Sequence, residues 1–194
     1  CNWERIKEFK YCIFNSSATH VDAEANLSKS AQIFHEHIFV KKAGTYKETP
    51  RHQDMLYYCV DWNSITSFWI PLDKVNKKDN FRLILGSHKW PKLAQPTKWS
   101  NDLSWYKDDS IFIDLPKMGN FKKDIMIPES KFNDAVLFKF KIVQGSSSNK
   151  TSKPRRAFLM RIIRDYVTYI DRWGLTSAPF GEINLKSGDL MYED

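Results

Sequence analysis

The sequence predicts a mainly β protein, a sandwich or jelly roll preceded by N-terminal helices. Three observations support this fold class. Helix-like spacing of apolar residues is confined to the first 34 residues, and short segments rich in β-branched and aromatic residues then recur at roughly even intervals. Turn-forming residues such as Gly86, Pro116 and Gly119 separate these segments, as they separate the strands of jelly rolls.

The predicted elements follow one another in a simple order. Residues 3–10 and 20–34 have helical character, and in the second stretch good helix formers lie between apolar residues at helical spacing. Strands are expected over 35–41, 55–61, 65–72, 81–85, 110–113, 135–143 and 156–164. The mixed segment 91–133 lacks a regular pattern, and we expect it to form a long irregular insertion or lid.

Length and composition define the class of protein. The 194 residues are 42% hydrophobic and 14% aromatic, which is enough for one sizeable core, so we expect a single domain over 1–194. These values exclude a disordered chain, and a total of only 7 glycines excludes a collagen-like one. No stretch approaches the roughly 18 apolar residues of a membrane helix, so no membrane span is expected.

The charge balance favours anionic partners without identifying them. The chain has 30 Lys and Arg against 23 Asp and Glu, a net charge of +7. The basic residues are spread along the chain in pairs at most, without a long run. A solvated basic surface is therefore the leading interpretation, and nucleic-acid binding is the alternative. The sequence does not define an oligomeric state.

The three cysteines indicate the compartment. Cys1, Cys12 and Cys59 are an odd, sparse set without CxxC spacing, so we expect neither a disulfide framework nor a zinc site. This usage fits a reducing, cytoplasmic location. The first residues lack the basic-then-apolar pattern of a signal peptide. Because the chain begins without a methionine, we expect that an N-terminal piece is missing.

A histidine and an aspartate two residues apart are the first sign of chemistry. On a strand, His52 and Asp54 would point to the same face, where an imidazole nitrogen and a carboxylate oxygen can bind one divalent metal. They form two thirds of the two-histidine, one-carboxylate triad of non-haem Fe(II) oxygenases. The pair by itself also fits the polar face of a surface strand. His35 and His37 alternate in the same way, and we expect them to be hydrogen-bonded strand histidines rather than ligands.

Further motifs surround this pair in a definite order. The lead-in Phe-Val-Lys-Lys-Ala-Gly-Thr at 39–45 precedes it, and the segments 65–75, 85–90 and 144–158 follow it. In this order and at these separations, the set resembles the bacterial-type branch of the phytanoyl-CoA dioxygenase family over about residues 33–180. The resemblance implies a double-stranded β-helix (jelly-roll) fold. It also implies an enzyme that uses Fe(II), O2 and the co-substrate 2-oxoglutarate to hydroxylate a small molecule, with succinate as the co-product.

The resemblance assigns roles to individual residues. His52 and Asp54 match two metal ligands, and Arg155 matches the arginine that binds the C5 carboxylate of 2-oxoglutarate, for which a planar guanidinium is well suited. The presence of Asp54 favours hydroxylation over halogenation, since related halogenases have a small residue there. The remaining expected residues of the co-substrate pocket are Gln53, Trp69, Ser146 and Lys41. Independently of the resemblance, the residues that could recognise an anionic substrate are Arg156, Arg161 and Arg164. Alternation puts Arg156 on the face opposite Arg155, where a solvated side chain is the default.

Position 144 departs from the pattern of the family. The third metal ligand in the family is a histidine, whereas this chain has Gln144. Of the 5 histidines only His88 follows Asp54, in a turn whose histidine is not a ligand in the family. A neutral carboxamide is a poor ligand for Fe(II), so Gln144 as metal ligand should weaken metal binding. Two functions therefore stay open: a dioxygenase, and an inactive family member that binds a metabolite or a protein.

Overall fold

The computed structural model describes residues 1–61, 65–75, 77, 80–94, 112–115, 121–131, 134–171 and 183–191. The chain begins with a 3-10 helix at Asn2–Glu4, followed by α1 (Lys7–Asn15) and α2 (Ala18–Ala25). Short 3-10 helices at Asp54–Tyr57 and Ser87–Lys89 lie among the strands that follow. None of the helices in these ranges is long and apolar enough to cross a membrane.

The strands of the described residues form two four-stranded antiparallel sheets and two smaller pairs. In chain order the strands are β1 (Ala31–Lys41), β2 (Thr49–His52), β3 (Val60–Asp61), β4 (Thr66–Pro71), β5 (Phe81–Ile84), β6 (Leu93–Ala94), β7 (Phe112–Ile113), β8 (Ile125–Met126), β9 (Val136–Lys139), β10 (Val143–Ser146), β11 (Arg155–Arg164) and β12 (Thr168–Tyr169). One large sheet has the order β1-β11-β4-β9 and the other β2-β10-β5-β8. This two-sheet architecture with N-terminal helices confirms the predicted fold class.

The interior of the protein lies between the two large sheets. Trp69 and Leu159 of the first sheet pack in one buried cluster with Phe81 and Leu83 of the second. The rings of Trp69 and Phe81 meet with their centroids 4.5 Å apart. Side chains from both inner faces therefore interdigitate, as they do in β-sandwiches and jelly rolls.

The helices cover the outer face of the first sheet. Ile13 of α1 and Ala18 of α2 pack with Phe158, Met160 and Ile162 of β11. Because side chains alternate along a strand, the odd-numbered residues of β11 point the other way, into the interior between the sheets. β11 is therefore buried on both faces, and its odd-numbered side chains are available to an internal site.

Two predictions near the start of the chain are wrong. The helix predicted over 20–34 ends at Ala25, and residues 31–34 belong to β1. Leu27 has a φ of 54°, a left-handed conformation that no helix can continue through. The strand predicted over 55–61 is a 3-10 helix over Asp54–Tyr57 followed by β3. All four residues of this helix are buried, so the apolar run that predicted a strand comes from burial of a helix.

The strand predicted over 135–143 is divided into two. β9 ends at Lys139 and β10 begins at Val143, with a turn closed by a hydrogen bond from the Ile142 amide to the Lys139 carbonyl (2.9 Å). Phe140 and Ile142 are buried in this turn, which is why the sequence reads as one apolar strand. Within the predicted insertion 91–133, the described residues 91–94, 112–115 and 121–131 include β6, β7 and β8. Residues 95–111, 116–120 and 132–133 of that prediction lie outside the described residues, as do the first two residues of the strand predicted over 110–113.

Candidate active site

A cavity of about 400 Å³ lies between the two large sheets and contains most of the predicted site. Its walls come from β1, β2, β4, β5, β10 and β11. The predicted residues that line it are Lys41, His52, Asp54, Trp69, Gln144, Ser146 and Arg155. The structure therefore brings seven of the eight predicted side chains to one place, although they are spread over more than a hundred positions of the chain.

His52 and Asp54 converge at one end of this cavity. β2 ends at His52 and a 3-10 helix begins at Asp54, yet Nε2 of the imidazole lies 3.3 Å from Oδ1 of the carboxylate. Nδ1 of His52 is 2.8 Å from the Pro50 carbonyl oxygen. A carbonyl only accepts, so in the neutral ring Nδ1 carries the proton and Nε2 presents its lone pair to Asp54. Two acceptor atoms that face each other in this way fit two ligands of one metal cation.

Asp54 is held as a carboxylate by its surroundings. The residue is only 4% exposed. Burial raises the pKa of this carboxyl, but the Arg161 guanidinium and His52 outweigh burial and hold the pKa at about 2. Arg161 Nη2 is 3.0 Å from Oδ2, and the Ser67 hydroxyl donates to the same oxygen at 3.4 Å. Asp54 is therefore charged at any physiological pH, as a metal ligand must be.

Gln144 completes the group at this end of the cavity. β10 pairs with β2 so that Gln144 lies opposite His52, and the side chain of Gln144 is hydrogen-bonded to Asp54. The close approach of the strands depends on Gly145, since a Cβ there would lie 3.1 Å from the carbonyl oxygen of Thr49. An imidazole, a carboxylate and an amide thus lie together at this end of the cavity, and Gln144 donates an amide N–H to the Asp54 carboxylate. His52 and Asp54 fit two ligands of a divalent cation, and the Gln144 amide oxygen would be a third ligand, weaker than a histidine.

Arg155 and Lys41 form the opposite, cationic end of the cavity. The two residues are paired across β11 and β1. Arg155 donates to the Ser147 carbonyl (2.9 Å) and to the Ser146 hydroxyl (3.4 Å), and Lys41 Nζ donates to the same carbonyl at 2.7 Å. Burial and the neighbouring Arg155 lower the pKa of Lys41 to about 8, although Glu48 opposes them. Two adjacent cations suit a carboxylate at this end of the cavity.

The wall between the two ends is apolar. Trp69 is 6% exposed and lies beside Leu159 in the register of β4 and β11. Ala157 and Phe81 continue this wall. The predicted position of Trp69 in the pocket agrees with the structure, and its side chain adds apolar surface to this wall.

Gln53 does not lie in the cavity, contrary to the prediction. Its Nε2 donates to the Lys141 carbonyl at 2.6 Å, and its Oε1 accepts the Ala94 amide at 2.7 Å. The residue between His52 and Asp54 must point away from both, because side chains alternate in an extended segment. Gln53 therefore joins two backbone segments through hydrogen bonds. The alternation of side chains along the sequence already predicted that Gln53 points away from His52 and Asp54.

Arg161 is the site residue whose position the sequence did not indicate. From the sequence it is a candidate only for recognising an anionic substrate, whereas in the structure it pairs with Asp54. It lies six residues after Arg155 on the same strand, so both arginines are on the inner face of β11. That even spacing is the signal that would have found it.

The second pair of histidines lies on β1. His35 and His37 lie with ring centroids 4.3 Å apart on β1. Burial and then Arg161 lower the pKa of His35 to about 4 and that of His37 to about 3, so both rings are neutral at physiological pH. Among the described residues, no group of three or more His, Cys, Asp or Glu side chains is arranged to hold a metal ion.

Comparisons with known proteins agree with this geometry. A family model described as phytanoyl-CoA dioxygenase (PhyH) matches residues 5–157. No curated protein sequence shows significant similarity to the chain. Solved structures share the fold at low sequence identity, and the chain spans 65% to 71% of the lengths of three of them.

The non-heme alpha ketoglutarate dependent carbocyclase SnoK from nogalamycin biosynthesis is 15% identical over 99% of this chain and 71% of its own, with a TM-score of 0.72. The epimerase SnoN in complex with Fe3+, alpha ketoglutarate and nogalamycin RO is 15% identical over 90% of this chain and 68% of its own, with a TM-score of 0.61. EvdO2 from Micromonospora carbonacea var. aurantiaca, complexed with 2-oxoglutarate, is 19% identical over 88% of this chain and 65% of its own, with a TM-score of 0.56.

Proposed function

The chain belongs to the phytanoyl-CoA dioxygenase family, and we propose that it is a mononuclear Fe(II)/2-oxoglutarate-dependent dioxygenase that hydroxylates a small organic molecule. Membership confirms the resemblance predicted from the sequence, together with the enzyme class and the cofactors of that family, Fe(II) and 2-oxoglutarate. The reaction type and the substrate are the proposal, and the geometry of the cavity supports them.

One observation carries the proposal: the metal end and the cationic end of the cavity lie two residues apart along the same strand, a separation on the scale of 2-oxoglutarate. Gln144 lies at the metal end and Ser146 at the cationic end, two residues apart on β10. Two residues of a strand span about 7 Å, a distance that a five-carbon keto diacid can bridge. Its keto acid end would then meet His52 and Asp54, and its distal carboxylate would meet Arg155.

The residues of the chain have distinct roles in this proposal. His52 Nε2, Asp54 Oδ1 and the amide oxygen of Gln144 would hold the metal. Bound Fe(II) supplies the oxidation, in which O2 and 2-oxoglutarate are converted to succinate and CO2 as a C–H bond of the substrate becomes C–OH. Arg155 binds and orients the distal carboxylate through a two-bond fork, which fixes the co-substrate in one direction.

The substrate must enter where the cavity is open to solvent. Phe39 and Val40 line the cavity and are 40% and 54% exposed, so they offer apolar contact surface beside the charged Lys47 and Glu48. This mixture suits a small molecule with an apolar body and polar substituents. The solved neighbours include a carbocyclase and an epimerase, so product analysis must follow any substrate that is found.

The first test measures binding of the co-substrate. Calorimetric titration of 2-oxoglutarate into the protein loaded with Mn(II), a redox-inert substitute for Fe(II), should show binding that Arg155→Ala weakens about 100-fold. Arg156→Ala is the matched control, because Arg156 lies on the other face of β11 and pairs with Asp73 at 2.7 Å on the surface. Unchanged affinity in Arg155→Ala would contradict the assigned site.

The second candidate function is a binding module without turnover. It is favoured by Gln144, whose side chain is hydrogen-bonded to Asp54 and replaces the histidine of the family pattern. Succinate formation by the natural protein with Fe(II), O2 and 2-oxoglutarate would exclude this function. If the natural protein forms none and Gln144→His does, the chain is a binding module descended from a dioxygenase.

We also propose a reducing, cytoplasmic location. Within the described residues, no disulfide joins Cys1, Cys12 or Cys59. Such unlinked thiols are typical of reducing compartments. Identical thermal unfolding of the purified protein with and without a reductant is the expected result, and a reductant-sensitive transition would contradict the proposal.

A further inference from the structure

Arg161 is placed where it affects the metal end of the cavity without being a ligand. Its side chain is 3% exposed and its guanidinium carbon lies 5.7 Å from the ring centroids of both Tyr58 and Phe140. Among the described residues, Asp54 is the acidic side chain that pairs with it. The guanidinium is therefore fixed beside the one negatively charged group of the metal end.

Asp54 can offer only one of its two oxygens to a metal. Oδ2 accepts from Arg161 Nη2 at 3.0 Å and from the Ser67 hydroxyl at 3.4 Å. Oδ1 faces His52 Nε2 at 3.3 Å. A cation shared by His52 and Asp54 would be bound through Oδ1, while Oδ2 stays with the guanidinium.

The charges of Asp54 and Arg161 sum to zero. Asp54 contributes −1 and Arg161 contributes +1, and the Gln144 amide carries no charge. A buried cation next to the carboxylate opposes the approach of a dication, because charge interactions are strong in a site from which water is excluded. A dianionic keto acid supplies the missing negative charge at the moment it binds.

We propose that Arg161 makes tight binding of the metal conditional on 2-oxoglutarate. The proposal rests on the dioxygenase site proposed above. By neutralising Asp54 and restricting it to one oxygen, Arg161 leaves a site that holds a divalent metal weakly alone and tightly together with the keto acid. Because such coupling is reciprocal, the metal strengthens binding of 2-oxoglutarate by the same factor.

The test measures metal affinity directly and requires no turnover. The electron paramagnetic resonance signal of free Mn(II) gives its Kd with and without saturating 2-oxoglutarate. In the natural protein, we expect 2-oxoglutarate to tighten Mn(II) binding about 100-fold, near the upper end of ordinary coupling between sites. Equal affinity in the two conditions would overturn the role of Arg161.

Variants separate an electrostatic role from a structural one. Arg161→Gln should tighten binding of Mn(II) alone about tenfold and reduce the coupling to about tenfold, because the opposing charge is removed. Arg161→Lys keeps the charge and should retain most of the natural coupling. Binding of Mn(II) alone that is unchanged or weaker in a folded Arg161→Gln protein would overturn the proposal, since a merely structural residue gives that result.

Arg164→Gln is the matched control. Arg164 is also buried on β11 and also pairs with an aspartate, with Nε 3.3 Å from Oδ2 of Asp22, but it lies on the other face of the strand. Its loss should leave the coupling at its natural value, and a reduced coupling would overturn the proposal. If Arg161→Gln does not fold, as judged by circular dichroism, the measurements on the natural protein and Arg161→Lys still decide.

Failure of this inference differs from failure of the proposed function. If the natural protein binds no Mn(II) even with saturating 2-oxoglutarate, the dioxygenase site is contradicted and this inference falls with it. If 2-oxoglutarate tightens Mn(II) binding by the same factor in the natural protein and in a folded Arg161→Gln protein, the site stands and only the role of Arg161 is overturned.

Discussion

The two ends of the cavity use the same residue type on the same face of β11 in opposite ways. Arg155 donates to a backbone carbonyl and a serine hydroxyl, which are neutral, whereas Arg161 is joined to the Asp54 carboxylate at 3.0 Å. Neutral acceptors orient a guanidinium but do not cancel its charge, while a carboxylate does both. The comparison shows that residue type and strand face do not define what an arginine does in the site. The charge of its nearest partner decides whether its own positive charge stays available to a ligand.

The two ends also differ in how their titratable groups respond to burial. At the metal end, Arg161 and His52 keep the Asp54 carboxyl ionised despite burial, with a pKa of about 2. At the cationic end, burial and Arg155 act in the same direction and lower the pKa of Lys41 to about 8. The Asp54 carboxylate therefore has a constant charge at physiological pH, and the cationic end has a charge that changes with pH.

The largest effect is expected from Asp54→Asn at the metal end. Loss of the carboxylate removes the charged ligand, and binding of Mn(II) in the presence of 2-oxoglutarate should fall at least ~1,000-fold. Arg161 is left buried without its partner, so the free energy of unfolding should fall by about 3–5 kcal/mol. Paramagnetic resonance and urea unfolding measure the two effects.

Asp73→Asn is the control for that change. Asp73 pairs with Arg156 on the surface. Its removal should cost less than about 1 kcal/mol and leave metal binding unchanged. If Asp54→Asn and Asp73→Asn change metal binding and the free energy of unfolding by similar amounts, the assignment of Asp54 to a buried metal end is wrong.

Arg155→Lys should have a smaller effect, limited to the cationic end. A lysine keeps the charge but loses the two-bond fork, so affinity for 2-oxoglutarate should fall about tenfold. Binding of Mn(II) without 2-oxoglutarate should not change, because Arg155 lies away from Asp54. Calorimetry and paramagnetic resonance together test this separation, and a weaker affinity for Mn(II) alone would show that the two ends are not independent.

A rise in pH should weaken co-substrate binding slightly. The pKa of Lys41 is lowered to about 8, so the side chain loses its positive charge as the pH passes that value, well before an exposed lysine would. Affinity for the 2-oxoglutarate dianion should fall about threefold between pH 7 and pH 9. The decrease should be absent in Lys41→Met, and its persistence in that variant would assign it to another group.

Gln53→Ala should have the smallest effect on the site and a clear effect on stability. It removes the partners of the Lys141 carbonyl and the Ala94 amide, so the free energy of unfolding should fall by about 2 kcal/mol. Affinities for Mn(II) and 2-oxoglutarate should stay within twofold of the natural values. A large loss of affinity for 2-oxoglutarate would restore the sequence-based role of Gln53 in the pocket.

Local rules predicted much of the fold and part of the site. Alternation and β-branched composition gave the strands from Thr66–Pro71 and Phe81–Ile84 close to their observed bounds. The same rules wrongly predicted strands at Asp54–Tyr57 and at Phe140. The apolar residues there are buried by segments distant in the chain, and they do not belong to a strand. Motif order led to His52, Asp54 and Arg155, whereas alternation, applied to Gln53, would have removed it from the pocket.

The sequence by itself determined the mainly β fold, the family and the residue types available for a metal and a keto diacid, because these depend on periodicity and on motifs along the chain. Only the tertiary structure decided that Arg161 pairs with Asp54 and that Gln144 lies opposite His52. Both contacts join residues that are about a hundred positions apart in the chain. Partners at that separation are fixed by strand register and by the packing of one sheet on another, which no local pattern encodes.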